Sequence, residues 1–502
     1  MKIVNKIIFI AILSITGQSG FSQTTSAGKS FYVDYAQWCT LGYPGIYINC
    51  GNDNAFNPGT QLTMEVWARA YTFGENRKIM GKLDNQFNNG YVLGFENLDV
   101  YSEIFNPDHQ EIPRTGPGSM PQDSAWIHIA TTYDANGKMT NYINGVNISE
   151  IDVFPQTAIV SNTSPFIIGL APWDILSYEF TGNLDEIRVW NVAKTAQEIK
   201  DGMFHQLKGN ETGLIAYYNF DEDVDSIVHD NGLNHLNGIL HNSTSTCFSW
   251  ADSYAPVGDS IMAEQFDINA SWYGKNADQY TYAVTQNGLS LITSIGEKEF
   301  SKYVVFGHNN EAGVTALDAP VNAPPDFKRL SRVWYVNKGG EFGSQVVFNL
   351  LDAASGGTML TSGGADSLYT LLVRDDTSGI FQPLMCASQV MGNTILFNDV
   401  NLQEKYYTLC YTSEKLIGTG INDDIEIKYF AKIFPNPAHN NLFLELPEKA
   451  EISISDLSGR LLKNYFEEKG INKIDISEFS KGIYVLGIQY KSQIEKRKIS
   501  IQ

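Results

Sequence analysis

Two carboxylates spaced two residues apart, Glu150 and Asp152, come nearest in this chain to hydrolytic chemistry. Alternate residues of a strand project to one face, and a retaining glycosidase needs two carboxyl groups about 5.5 Å apart. The pattern stops at once, because Phe154 and Pro155 stand where the next carboxylate belongs and proline ends ladder pairing. Asp185 and Glu186 are adjacent, so a regular strand sends them to opposite faces. Asn52-Asp53-Asn54 on a loop flanked by Gly51 offers oxygen donors of the kind calcium takes. The expected calcium ligands are Asp53, Asn54 and Asp185, with turn capping through backbone hydrogen bonds as the alternative for the same side chains. Trp173, in Ala171-Pro172-Trp173-Asp174, is expected in a loop and offers a stacking platform for a ligand. Trp67, Trp126 and Trp190 lie inside strand-like runs and are expected in the core. His229, His235 and His241 recur every six residues, which matches neither an i, i+4 helical pair nor a compact zinc site, and reads as polar decoration of turns. The chain holds no GxSxG, P-loop, GxGxxG or HExxH.

The elements that must position these residues are strands. Charged residues are 18% of the 502, below the roughly 25% of average domains, and Gly, Asn, Ser and Thr take their place. That is the composition of an all-β, turn-rich protein, and 43% hydrophobic residues suffice for several cores. The net charge is −21; residues 432–502 hold 11 Lys and Arg against 9 Asp and Glu, a net of +2, so the rest carries −23. An acidic body of this kind excludes nucleic acid as partner and favours cations. Lys2 and Lys6 precede the apolar run Ile7–Ile15, and small residues follow around Gly20, which marks residues 1–22 as a secretory signal peptide too short to span a bilayer. No later run approaches a transmembrane segment. Outside the cytoplasm, the expected disulfides join the nearest pairs, Cys39 with Cys50 and Cys386 with Cys410, leaving Cys247 over, although spacing alone leaves other connectivities open.

Three stretches between residues 29 and 256 share one grammar: Gly45-Ile46-Tyr47-Ile48-Asn49 leading to Leu62-Thr63-Met64-Glu65-Val66-Trp67; Trp126-Ile127-His128 through Asp134 to Asn144-Gly145, a pair favoured in type I′ hairpins; and Gly182-Asn183-Leu184-Asp185-Glu186-Ile187-Arg188-Val189-Trp190 before a short helical Thr195–Ile199. These resemble the laminin-G-like, concanavalin A-like jelly roll, a fold shared by lectin-like binders and glycoside hydrolases. Residues 257–412 read as a second β-sandwich, a spacer or further interaction surface, and 413–431 as a linker.

In residues 432–502, Pro435-Asn436-Pro437, then Ile454 through Asp456 to Gly459-Arg460, then Ile474–Ser477, then Gly482 and Tyr484 stand in an order that closely resembles the C-terminal sorting domain of type IX secretion cargo in Bacteroidota. The resemblance implies a small Ig-like sandwich, a partnership with the type IX machinery, export through the periplasm to the surface or medium, and attachment of the mature protein to surface lipopolysaccharide. It also brings short Asp-Ser-apolar acceptors of O-glycans, here with Ser124, Ser226, Ser260 and Ser367. Together these readings give a secreted or cell-surface protein that binds extracellular glycan or protein. A polysaccharide-degrading enzyme with an atypical site and a structural surface component are the alternatives.

Overall fold

The computed structural model describes residues 27–34, 45–71, 77–85, 89–96, 99–105, 124–135, 137–152, 158–171, 180–221, 226–241, 248–273, 282–293, 295, 299–361, 364–416, 432–434, 438, 441–446, 449–455, 461–490 and 493–501. Their contacts divide into two compact units, Met1–Gly418 and Thr419–Gln502.

The first half of the larger unit is the expected jelly roll. Its eight-stranded sheet runs, in spatial order, Phe248–Asp252, Lys29–Val33, Gly182–Trp190, Gln61–Ala70, Ile127–Asp134, Lys138–Ile143 and Val146–Asp152, with Leu214–Tyr218 also beside Gly182–Trp190. The facing sheet has seven strands: Ile227–Val228, Gly238–His241, Tyr47–Asn49, Phe166–Ile168, Arg77–Leu83, Gly90–Glu96 and Asp99–Phe105. Strand alternation sends Leu62, Met64, Val66 and Ala68 between the sheets to meet Ile48, Phe166 and Leu93. Asn144 and Gly145 both take positive φ, 50° and 73°, closing the hairpin their sequence predicts. Thr195 caps the helix Ala196–Gly202, accepting from the Glu198 amide while Glu198 accepts from the Thr195 amide.

The second half pairs Phe266–Trp272, Tyr303–His308, Trp334–Gly339, Tyr406–Tyr411, Lys328–Leu330 and Val314–Thr315 in one sheet, which Tyr369–Arg374 and Gln382–Cys386 extend. Five strands from Tyr282–Gln286 to Gln389–Met391 form the other. The two halves do not meet as beads on a string. Trp67, Trp126, Met203 and Phe204 of the jelly roll and Trp272, Tyr303, Val305 and Tyr335 of the second sandwich form one apolar core. One indole bonds across the seam, Trp272 Nε1 donating to the Trp126 carbonyl (3.0 Å); Trp67 Nε1 donates within the jelly roll to the Met203 carbonyl (2.8 Å), and the buried Trp126 Nε1 has no partner among the described residues. The strand Gln61–Ala70 is therefore buried on both faces along almost its whole length.

In the smaller unit, Lys432–Phe434, Asn441–Leu446 and Gly470–Asp475 face Leu461–Glu467, Ala450–Ser455, Gly482–Tyr490 and Gln493–Ile501 across a core of Leu442, Leu444, Ile452, Ile454, Leu486 and Ile488. This is the small Ig-like sandwich.

Candidate functional site

A buried polar cluster lies on the outward face of the jelly roll's eight-stranded sheet, at the seam with the second sandwich. A register shift between Asp185 and Arg188, with Glu186 at φ 53°, breaks the alternation there. Asp185 and Glu186 consequently do not part to buried and exposed faces as adjacent strand residues would; both are interior. Arg188 donates from Nη2 to Glu186 Oε2 (2.5 Å) and the His205 carbonyl (2.7 Å), and from Nη1 to the Gly202 carbonyl (2.8 Å). The Tyr217 hydroxyl donates to the other Glu186 oxygen (2.7 Å), and Ser253 to Asp185 Oδ2 (2.5 Å). His128 Nε2 lies 3.5 Å from Glu65 Oε2.

Burial pushes Glu186 up despite the opposing Arg188 cation. Burial, then the neighbouring Glu186 and Asp221 charges, hold Asp185 far above the ordinary carboxyl range. Burial drives His128 down against the pull of Glu65, and burial takes His205 down to about 4. Shifts of this kind often mark active centres, but exposure decides the matter here: Glu65, His128 and Arg188 are 1% exposed, Glu186 2% and Asp185 0%. A substrate reaches none of them. Its hydrogen bonds tie elements of the jelly roll to one another.

A raised carboxyl in the folded state contributes stability that is complete below about pH 4 and is lost as pH rises toward the folded value. Asp185→Asn is therefore expected to raise the melting temperature at pH 8 and to flatten its fall between pH 4 and 8. Parallel melting curves of the two proteins that keep a constant gap across that range would refute the assignment.

The three expected calcium ligands do not form one site. Asp53 Oδ1 caps the short helix Asn54–Phe56 through the Ala55 amide (2.8 Å), a contact worth about 1 kcal/mol. Asn54 accepts from Asn57 Nδ2 (3.3 Å), while Asp185 sits in the seam on the other sheet. Among the described residues no group of three or more His, Cys, Asp and Glu is arranged to hold a metal. Glu150 and Asp152 lie exposed on an edge strand, Glu150 paired with Lys138.

The expected Cys386–Cys410 disulfide is corrected. Cys386 and Cys410 stand opposite Thr370 on its two flanks, so a whole strand separates them and their sulfurs form no bond. Cys50 is a buried free thiol, raised to about 12 by burial, and Cys39 lies outside the described residues. Also outside are the signal segment, Trp173, Cys247, Pro435, Asn436, Pro437, Asp456, Gly459 and Arg460. Gly482 opens its predicted strand, and Tyr484 donates to the Ser480 carbonyl (2.7 Å). Of the four acceptor serines Ser260 is exposed, whereas Ser124, Ser226 and Ser367 are half-buried.

A different face presents unused binding groups. On the outward side of the seven-stranded sheet, Tyr47 pairs with His241 and Asn49 with Ile239, which in turn pairs with Ile227. The Tyr47 and His241 rings stack 4.5 Å apart at 6°. Asn49 accepts the Gly51 amide at Oδ1 (2.9 Å), and among the described residues its Nδ2 has no protein partner. Neither the Tyr47 hydroxyl nor the His241 ring nitrogens bond to protein among the described residues. Ile239 and Ile227 are 58% and 45% exposed, whereas Val92 and Tyr101, toward the other edge, are buried. Reading His241 as turn decoration was thus wrong: it is a strand residue. The alternation of buried Ile48 and Leu240 with Tyr47, Asn49, Ile239 and His241 was the signal available.

Residues 42–200 match the family described as the concanavalin A-like lectin/glucanases superfamily, and residues 432–502 match the secretion system C-terminal sorting domain. The chain joins a concanavalin A-like domain to a type IX sorting domain. That tail marks it for export to the cell surface or beyond, and no helix among the described residues is long and apolar enough to cross a membrane. Similar solved structures include a putative carbohydrate binding protein from Bacteroides ovatus (21% identity, TM-score 0.34, 45% of this chain), of which this chain spans 60%. A heptameric SAP-like pentraxin from Limulus polyphemus shares 13% identity, with TM-score 0.27 over 35% of this chain and 82% of that one. The Ruminococcus gnavus IT-sialidase CBM40 bound to alpha2,3 sialyllactose shares 16%, with TM-score 0.26 over 32% and 96%. No curated protein matches the chain.

Proposed function

We propose that this exported protein is a binding protein that recognises extracellular glycan through the outward face of its seven-stranded sheet. The observation that carries the reading is the set of groups presented there: a stacked Tyr47–His241 pair, the Asn49 Nδ2 and the exposed Ile227 and Ile239 on one surface. A sugar ring offers apolar C–H faces for stacking and hydroxyls for an amide and a phenol, and this surface supplies both. Hydrolysis receives no such support, since the carboxylates brought close together in the jelly roll are sealed in the seam. The residues nominated for calcium share no donor set, and the glycan face stands on its own aromatic and amide groups. If the protein is O-glycosylated, Ser260 is the accessible acceptor.

Incubating the full chain with a polysaccharide panel tests this. Retention without new reducing ends is expected, and Tyr47→Ala should weaken it about tenfold, the loss of roughly 1.4 kcal/mol of stacking. Release of reducing ends would favour the enzyme, and no retention by any polysaccharide would favour the structural component.

A further inference from the structure

Arg69 lies on the outward face of the eight-stranded sheet, in one row with Asn183 and Tyr32. Its Nε donates to the Ser124 carbonyl (2.7 Å), and Ser124 holds φ 60° to present it. The guanidinium lies against rings from both halves of the unit, 4.1 Å from the Phe300 centroid and 5.0 Å from that of Tyr71. Each ring is itself braced: Phe300 edge-on to Tyr273 (5.4 Å), and Tyr71 edge-on to Tyr32 (6.0 Å) with its hydroxyl donating to Asn183 Oδ1 (2.9 Å). Among the described residues no carboxylate pairs with the Arg69 guanidinium; Glu299 is taken by Lys302 (2.5 Å), and Asp34 bonds the Tyr32 hydroxyl. In a chain of net charge −21 a partly buried arginine with no counter-ion among the described residues is conspicuous, and burial destabilises its charged form accordingly.

We propose that Arg69 is the anchor for the carboxylate or sulfate of an acidic sugar, in a subsite built jointly by the jelly roll (Arg69, Tyr71, Tyr32) and the second sandwich (Phe300). This rests on the glycan-binding reading and adds to it a charge class and a second site. The planar fork of arginine suits a bidentate anion, and among the described residues its two outer nitrogens make no bond to protein. Tyr71, 36% exposed, offers the adjoining sugar ring a stacking face. Phe300 reaches Arg69 from the second sandwich, where it packs against that sandwich's own core.

The test is retention of the full chain by polygalacturonate, alginate and chondroitin sulfate, each beside its methyl-esterified or desulfated partner. At least one acidic polymer is expected to bind about tenfold more tightly than its neutralised partner, with the difference shrinking as salt rises. Arg69→Gln and Phe300→Leu should each remove most of that difference, and Arg69→Lys, which keeps the charge but not the fork, should recover little. Melting curves show that each variant is folded, and Phe300→Leu carries the test if Arg69→Gln is not. Acidic polymers bound by Arg69→Gln as by the parent would overturn the assignment while Tyr47-dependent binding of neutral glycans kept the broader reading. Failure of every polysaccharide would overturn both. Polyglutamate competing as well as the acidic sugars would replace the sugar with an acidic peptide.

Discussion

Replacing Arg188 by methionine is expected to destabilise the larger unit by about 3–5 kcal/mol, the usual cost of removing one partner from a buried ion pair. Methionine fills much of the volume but leaves Glu186 and the Gly202 and His205 carbonyls without their donor, in a region closed to water. An exposed pair such as Lys208–Glu264, at 3.2 Å, makes the useful comparison, since breaking a solvated pair costs about 0–1 kcal/mol. Adding Glu186→Gln to Arg188→Met should recover part of the loss: it removes the stranded charge and keeps an acceptor for the Tyr217 hydroxyl. Urea midpoints of the two single variants, the double variant and the parent measure this. A cost under 1 kcal/mol for Arg188→Met, or a double variant as unstable as the sum of its parts, would mean that the charges are not holding one another.

What the sequence made legible follows the range of the interactions involved. Local signals worked: the alternation of Leu62, Met64, Val66 and Ala68, the Asn144-Gly145 turn and the Thr195–Glu198 capping box each lie within a few residues. The other face of the same strand, with Glu65, Trp67 and Arg69, was only partly readable, because its cover includes Met203, Trp272 and Phe300, more than 130 residues away. Trp67 was expected in a core, yet that core belongs to both sandwiches. The shift at Asp185–Arg188 has no glycine or asparagine to announce it; Glu186 takes the positive φ. His241 misled for a similar reason, since its six-residue spacing from His235 says nothing while its partner Tyr47 is 194 positions earlier. For Cys386 and Cys410 nearness in sequence concealed an intervening strand.

Deleting residues 432–502 is expected to abolish export while leaving the remainder folded, the largest effect foreseen for any change to this chain. The sorting unit buries its own Leu442, Ile452, Ile454, Leu486 and Ile488, and the larger unit closes its cores without any of them. Units with separate cores fold separately, so the truncated protein should melt with the same transition as the larger unit of the full chain, yet accumulate in the periplasm. Fractionation of cells and medium distinguishes the outcomes, and normal surface display of the truncated chain would sink the expectation. A loss of signal alone would be ambiguous, because an unfolded truncation is also degraded; the melting measurement on the retained protein removes that ambiguity. The converse experiment adds a gain: residues 432–502 attached to an unrelated periplasmic protein should carry it out of the cell. Since the acidic body holds the proposed glycan sites and the tail holds the address, the truncated protein should bind the same polysaccharides as the parent, and only its location should change.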